Sequence, residues 1–303
     1  MKKLIVVALL VIIIPFLCTK IFIKTDNIKF KYISNNFVRV KDEKTGNINT
    51  IPFEDYIKGV VASEMPSSFE IEALKAQAVA SRSYAMYQIN GSKNREYDLT
   101  NTTTNQVYKT DNELKQIWKE EYPKKINKIK KAIEQTSGEY LTYNSSVINA
   151  MFFSTSTGVT ENSEEIFSSA LPYLRSTSSK WDESSPSYID TYKFSINDFY
   201  NKLSLPINNK LEITEVEKTT TGRTKKLKIN GQEINGRQFA KKLNLRSNYF
   251  DIIQNGDSIT ITTKGFGHGV GMSQYGANGM AKEGYKYDEI LKYYYKNTEL
   301  KKI

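Results

Sequence analysis

The sequence predicts an α+β protein: a mixed, sheet-rich domain around an Ala-rich central helix, preceded by an N-terminal transmembrane helix. Three observations carry this. An almost unbroken apolar run follows Met1-Lys2-Lys3. Residues 68–90 form one long helical stretch rich in small side chains. Short alternating segments of strand character, separated by Gly, Asn and Ser turns, occupy much of the remainder.

The apolar run spans Leu4 to Thr19, and Ile21 to Ile23 extend it past Lys20. A spanning helix needs roughly 20 residues, and a lysine near its end can snorkel to the interface. No small residues stand where a cleaved signal peptide would need them, and Leu17 precedes Cys18 where a lipoprotein site would want a small residue. The expectation is an uncleaved anchor over 1–24 and an extracytoplasmic domain over 25–303, divisible into lobes at 25–185 and 186–303. Cys18 is the single cysteine, so a disulfide within the chain and a cysteine-based zinc site are excluded.

The chain has a net charge of +10, and four of its lysines (Lys2, Lys3, Lys20, Lys24) flank the apolar run. The remainder stays basic, which suits a polyanion such as cell-wall polymer or nucleic acid. Export argues against nucleic acid. The 20 tyrosines suit surfaces that stack on sugars or bases.

Phe37 to Val40 and Ile48 to Phe53 alternate around Lys44-Thr45-Gly46-Asn47, a hairpin signal. Glu64 follows the apolar Val60-Val61-Ala62 and precedes Met65-Pro66. Pro66 disfavours helical geometry at Met65, so Glu64 lies at a break just before the long helix. A carboxyl against apolar neighbours has its pKa raised, which suits a general acid. On the helix, Ala73, Ala76, Ala80 and Ser83 make a small-residue stripe that admits a close neighbour. Lys75 and Arg82, seven apart, project from one face. An acid followed by two stacked cations reads as an anion- or sugar-binding site. The alternative is a local salt bridge and two solvated cations.

Asp98 to Thr110 is polar loop, Asp111 to Tyr122 is helical, and Pro123 breaks it. Ile126, Ile129 and Ile133 recur at helical spacing among lysines that read as a solvated face. Tyr140 to Tyr143 and Val147 to Phe153 read as a buried hairpin turning at Asn144-Ser145-Ser146. It leads into Ser154-Thr155-Ser156-Thr157-Gly158, whose hydroxyls either donate to a ligand or satisfy a turn. Residues 161–187, rich in Ser, Glu and Pro, read as a partly ordered insertion. Strands follow at Lys225 to Ile229 and Ser258 to Thr262, with a short helix at Phe239 to Leu243.

The second signature is Lys264-Gly-Phe-Gly-His-Gly-Val-Gly-Met-Ser-Gln-Tyr-Gly-Ala. Glycines at 265, 267, 269 and 271 alternate, so the backbone turns tightly or lies against something. The spacing meets neither the dinucleotide fingerprint nor the nucleophile elbow. His268 is the only histidine, and a place on a glycine loop points to a site role.

With both signatures in hand, the chain resembles the stage II sporulation protein D family over nearly everything after the anchor. The resemblance is carried by Glu54-Asp-Tyr-Ile, Val60-Val-Ala-Ser-Glu-Met-Pro, Ala73-Leu-Lys-Ala-Gln-Ala-Val-Ala-Ser-Arg-Ser-Tyr, Phe153-Ser-Thr-Ser, Pro172-Tyr-Leu, Thr221-Gly-Arg and Gly267-His-Gly-Val-Gly-Met-Ser-Gln-Tyr-Gly-Ala. It implies a membrane-anchored enzyme of endospore formers that cleaves peptidoglycan glycan strands during engulfment, at the septum between mother cell and forespore. Its implied partners are an amidase that first strips the stem peptides and a membrane scaffold protein. The family's catalytic acid falls on Glu64, and its functional Lys and Arg on Lys75 and Arg82. Ser154, Thr155, His268 and Gln274 sit in matching motifs and are expected to line the same groove.

Some clostridial relatives hold zinc with Cys and His in the loop before Gln106-Val-Tyr. Here that loop offers Thr100, Thr103, Thr104 and Asn105, so neither a metal nor another cofactor is expected. Hydrolytic glycosidases generally need two carboxylates, and only Glu64 stands out, which fits a lytic transglycosylase. In that reading Lys75 or Arg82 binds the lactyl carboxylate of a denuded strand. The rival reading, from relatives described as amidase enhancers, is a non-catalytic glycan-binding stimulator of a partner hydrolase.

Overall fold

A computed structural model describes residues 37–92 and 94–303. The expected anchor, residues 1–24, lies outside the described residues. Among the described ones, no helix is long and apolar enough to cross a membrane. The first elements are β1 (Phe37–Lys41), β2 (Ile48–Pro52), α1 (Phe53–Glu64), α2 (Ile71–Gly91), β3 (Leu99–Thr100), α3 (Asp111–Trp118) and α4 (Tyr122–Gln135). Then come β4 (Glu139–Tyr143), β5 (Ser146–Val147), β6 (Phe152–Phe153), α5 (Ser163–Ile166), β7 (Ile189–Ser195), α6 (Ile196–Leu203), β8 (Ile213–Lys218), β9 (Thr224–Ile229) and β10 (Gln232–Asn235). The chain closes with α7 (Gly236–Lys242), β11 (Phe250–Asn255), β12 (Ser258–Lys264), β13 (Met272–Ser273), α8 (Gln274–Lys282), α9 (Tyr287–Tyr294) and β14 (Glu299–Lys302). The class is α+β, with several small sheets.

The first hairpin forms as its alternation predicts, β1 pairing antiparallel with β2. Its turn is held by Asp42, whose carboxylate accepts the Lys44 and Thr45 N–H groups. Behind it stands α1, whose buried Phe53, Tyr56, Ile57, Val60 and Val61 recur at helical spacing. Glu54 and Asp55 in its first turn complement the helix dipole. The helix stops at Glu64, with Met65 extended (φ −123°, ψ 134°), as a residue before proline prefers.

After a short turn through Pro66 to Glu70, α2 begins three residues later than the pattern predicts. Every residue from Ala76 to Ala85 is buried. It packs against α1, α4, α8, α9 and β4, so it is the central element of the larger core. The small-residue stripe explains how: the Ser83 hydroxyl accepts the Leu141 N–H of β4 at 2.8 Å.

Three local expectations shift. Pro123 lies in the first turn of α4, where a missing N–H costs nothing, and α3 ends at Lys119 (φ 48°). The hairpin after β4 turns at Asn144-Ser145, both at positive φ, but pairs only as far as Val147. Beyond it β6 pairs in parallel with β13, while the other edge of β4 takes β14. Residues 161–187 are built into the fold rather than hung from it. Glu161, Ser163, Ser179 and Asp182 are buried, and Asp182 accepts hydroxyls from Ser156 (2.7 Å), Ser179 (2.5 Å) and Ser273 (2.5 Å).

A second apolar cluster gathers α6 and α7 against the sheets β11-β12-β7 and β10-β9-β8, around Phe199, Phe239, Leu227 and Ile261. The chain then returns to the larger core, where Val270, Met272, Ala277, Ile290 and Tyr294 are buried. The return passes through the glycine run. It pairs with the strand end after β6 through the Thr155–Phe266 and Glu161–Val270 bridges.

Candidate functional site

The end of α1, the loop before Gln106, the strand end after β6, the glycine run and the start of α8 converge on a cavity of about 560 Å³. Its lining comprises Glu64, Tyr84, Thr103, Thr104, Asn105, Met151, Phe152, Phe153, Ser154, Phe167, Arg237, Phe266, Gly267, His268 and Gln274. Glu64 is the only carboxylate among them.

Glu64 is placed by the break it precedes and by one backbone contact. Its Oε1 accepts the Val107 N–H at 2.6 Å. The segment carrying that N–H lies close on α1 because residue 59 is glycine: a Cβ there would stand 2.4 Å from the Tyr108 ring. Gln106 pins the same segment to α2, donating to the Ser81 carbonyl at 3.3 Å. Burial raises the Glu64 pKa, and the Val107 N–H and the Lys109 charge offset this only in part. The carboxyl therefore keeps its proton to higher pH than an ordinary glutamate.

Ser154, His268 and Gln274 share the cavity with Glu64. Gln274 opens α8, which is capped by Ser273, and its amide reaches Gln77 of α2 at 3.4 Å. The imidazole of His268 lies between Phe153 (5.6 Å between centroids) and Phe167 (5.8 Å). Its Nδ1 accepts the Val270 N–H at 3.1 Å, which leaves the ring proton on Nε2; a hydrogen bond to the Phe152 backbone engages the ring as well. Burial, with the Arg223 charge, lowers its pKa to about 4. A neutral imidazole occupied by backbone groups on both sides shapes and polarises the cavity, and is poorly placed to shuttle protons.

Two glycines make this loop possible. At Gly271 (φ +83°) a Cβ would sit 2.0 Å from the Met151 carbonyl oxygen. At Gly269 (φ +87°) it would meet the guanidinium of Arg223. That buried arginine donates to the Gly267 carbonyl at 2.9 Å and lies 3.5 Å from the buried Glu161, so it ties the glycine run to the segment that enters β9.

Three sequence-predicted residues do not line the cavity. Arg82 is wholly buried, with Nε and Nη2 each 2.8 Å from the Glu54 carboxylate and Nη1 donating to the Glu139 carbonyl. Lys75 pairs with Glu72 at 2.7 Å and stands over the Tyr287 ring of α9. Their spacing of seven does put both on a helical face. That face is packed against other elements, however, because α2 is surrounded. Thr155 is buried, its hydroxyl 2.8 Å from that of Ser185.

Arg237, Tyr84 and Phe167, none of which the sequence marks as a site residue, enter the cavity from α7, α2 and the segment after α5. The first lies on a helix belonging to a different apolar cluster, so no spacing rule links it to Glu64. The loop expected to lack zinc ligands presents Thr103, Thr104 and Asn105 to the cavity. Asn105 accepts from Thr100 and donates to the Tyr84 hydroxyl at 3.2 Å. A second hollow, of about 570 Å³, is formed by residues 62–68 with Trp118, Glu121 and Lys125. Glu64 is the one residue common to both.

Comparison with known proteins adds the following. A family described as Stage II sporulation protein matches residues 41–143. The chain is 45% identical to stage II sporulation protein D of Bacillus subtilis (strain 168), over 84% of this chain and 76% of that protein. The corresponding protein of Bacillus amyloliquefaciens is 44% identical, over 87% and 78%. The chain is also 29% identical to the amidase enhancer of Bacillus subtilis (strain 168), over 80% of this chain and 40% of that protein.

Proposed function

The chain belongs to the stage II sporulation protein D family, and on that premise we propose that it is a lytic transglycosylase of peptide-stripped peptidoglycan strands. It would be held at the sporulation septum by its N-terminal apolar run, working beside a peptide-stripping amidase and a membrane scaffold protein.

The observation that carries the reading is a lone carboxyl, raised in pKa by burial, in a cavity otherwise lined by neutral polar and aromatic groups and one arginine. Double-carboxylate hydrolysis has no second acid among those lining residues. A single acid suffices when the nucleophile is internal to the substrate. Protonated Glu64 gives its proton to the glycosidic oxygen between N-acetylmuramic acid and N-acetylglucosamine as the C1–O bond breaks. The resulting carboxylate then takes the proton of the muramic acid 6-hydroxyl, whose oxygen attacks C1 and closes a 1,6-anhydro ring. The acid is restored and no water is consumed. Such acid–base assistance contributes about two to four powers of ten in rate.

The test is mass spectrometry of peptide-free glycan strands incubated with the protein. Fragments ending in 1,6-anhydro-muramic acid that vanish with Glu64→Gln are expected; reducing ends would instead indicate hydrolysis. The similarity to an amidase enhancer favours one rival, a non-catalytic glycan binder that stimulates a hydrolase. Binding without turnover, together with a faster partner amidase, would establish it.

A further inference from the structure

We propose that Arg237 is the residue that recognises the lactyl carboxylate of a stripped strand, and so sets the preference for peptide-free substrate; this rests on the glycan-cleaving reading above. Stripping the peptide leaves a carboxylate on each muramic acid, the only charge on an otherwise neutral polymer. A site that prefers such strands needs a cation in reach of the bond being cut.

Among the described residues lining the cavity of about 560 Å³, Arg237 is the one cation, while Lys125 of the second hollow beside Glu64 is already paired with Glu121 at 2.7 Å. It is exposed, at the start of α7, with its backbone N–H fixed on the Asn235 side chain at 2.9 Å. Nη1 donates to the Ile166 carbonyl at 2.7 Å, which steadies the head group and leaves other guanidinium donors for a ligand. The acids of the neighbouring segment are already taken. Glu161 lies beside Arg223, Glu164 pairs with Arg175, and Glu165 pairs with Lys225. Among the described residues Arg237 has no carboxylate partner within ion-pair distance, so its charge is uncompensated where the cavity would receive a ligand. A planar guanidinium matches a carboxylate bidentately, and such charge-assisted contacts are the strong ones.

The experiment uses the full chain, solubilised in detergent, on two preparations of peptide-free strands. One keeps its lactyl carboxylates; in the other they are converted to neutral methylamides. Binding is measured in Glu64→Gln, and cleavage in the otherwise unaltered protein, each with and without Arg237→Gln or Arg237→Lys. With Arg237 present, the free carboxylate should be preferred by about tenfold to a hundredfold. Arg237→Gln should remove that preference by weakening the carboxylate strand alone, and Arg237→Lys should restore part of it. A general loss on both strands would mark a structural role and overturn the assignment, as would a preference unchanged in Arg237→Gln. Cleavage without any preference in the unaltered protein would sink this inference while leaving the transglycosylase standing. Neither binding nor cleavage of either strand would sink both.

Discussion

The guanidinium of Arg82 faces the carboxylate of Glu54 through two contacts of 2.8 Å, with both side chains almost wholly out of water. This pair joins α2 to α1, the helix whose last residue is Glu64, and its third arm reaches the Glu139 carbonyl of β4. Arg82 does not line the cavity; its contacts hold α1, α2 and β4 together.

Removing one partner of a buried pair leaves the other charged and unsatisfied, at a cost of about 3–5 kcal/mol. Arg82→Ala should lower stability by that amount in urea unfolding. Replacing both Arg82 and Glu54 by apolar residues of similar size should recover much of the loss. If Arg82→Ala left stability intact, the pair would not be what holds α1.

Glu64 gives a pH signature in stability as well as in rate. Its folded pKa is raised above 4.5, the ordinary value, so its favourable contribution is complete below pH 4.5 and is lost as pH rises through the folded pKa. Glu64→Gln keeps an acceptor for the Val107 N–H and never ionises. The variant should therefore be more stable than the parent at neutral pH, by a margin that shrinks toward pH 4.5. Parallel unfolding curves at the two ends of that range check it. In the proposed reaction the parent's cleavage rate should fall over the same rise in pH, because the acid form is the donor.

The sole imidazole makes His268 readable by NMR. Its pKa is lowered from 6.5 to about 4, so the ring should stay neutral, with the proton on Nε2, over most of that interval and charge only as pH nears 4. Since unfolding frees it to protonate, its contribution to stability is complete above pH 6.5 and drains away as pH falls toward 4. Nitrogen shifts moving with a midpoint near 6.5 in the folded protein would refute this environment.

Gly271→Ala should be far more damaging than Gly46→Ala. Both positions have positive φ (+83° and +79°), so both substitutions carry backbone strain on the order of 1 kcal/mol. Only at Gly271 would the new Cβ also strike a backbone oxygen, that of Met151 at 2.0 Å, while nothing lies within 4 Å of the one at Gly46. Thermal unfolding should show a small drop for Gly46→Ala and a much larger one for Gly271→Ala. Equal drops would mean that the loop moves aside freely.

Local chemistry was legible wherever neighbours along the chain dictate it. Pro66 sets the break after Glu64, the alternation around Gly46 sets the first hairpin, and the alanine-rich stretch becomes the buried central helix. The raised Glu64 pKa agrees in direction with the expectation from its place in the chain, and burial is its cause. What lies on each helical face was not legible, because the stretch from Ala76 to Ala85 is buried on every side and has no solvent face for a charge to mark. Arg82 and Lys75 share the spacing of a binding pair and yet each answers a carboxylate of the scaffold. Arg237 shows the converse. It stands 173 residues along the chain from Glu64, on a helix of another apolar cluster. Only the return of the chain through Gly265–Gly271, between the two clusters, brings it to the same cavity. Sequence by itself determined the family and the elements that local preference can write. Tertiary packing decided which cation shares the cavity with Glu64, since that depends on contacts between segments that no periodicity connects.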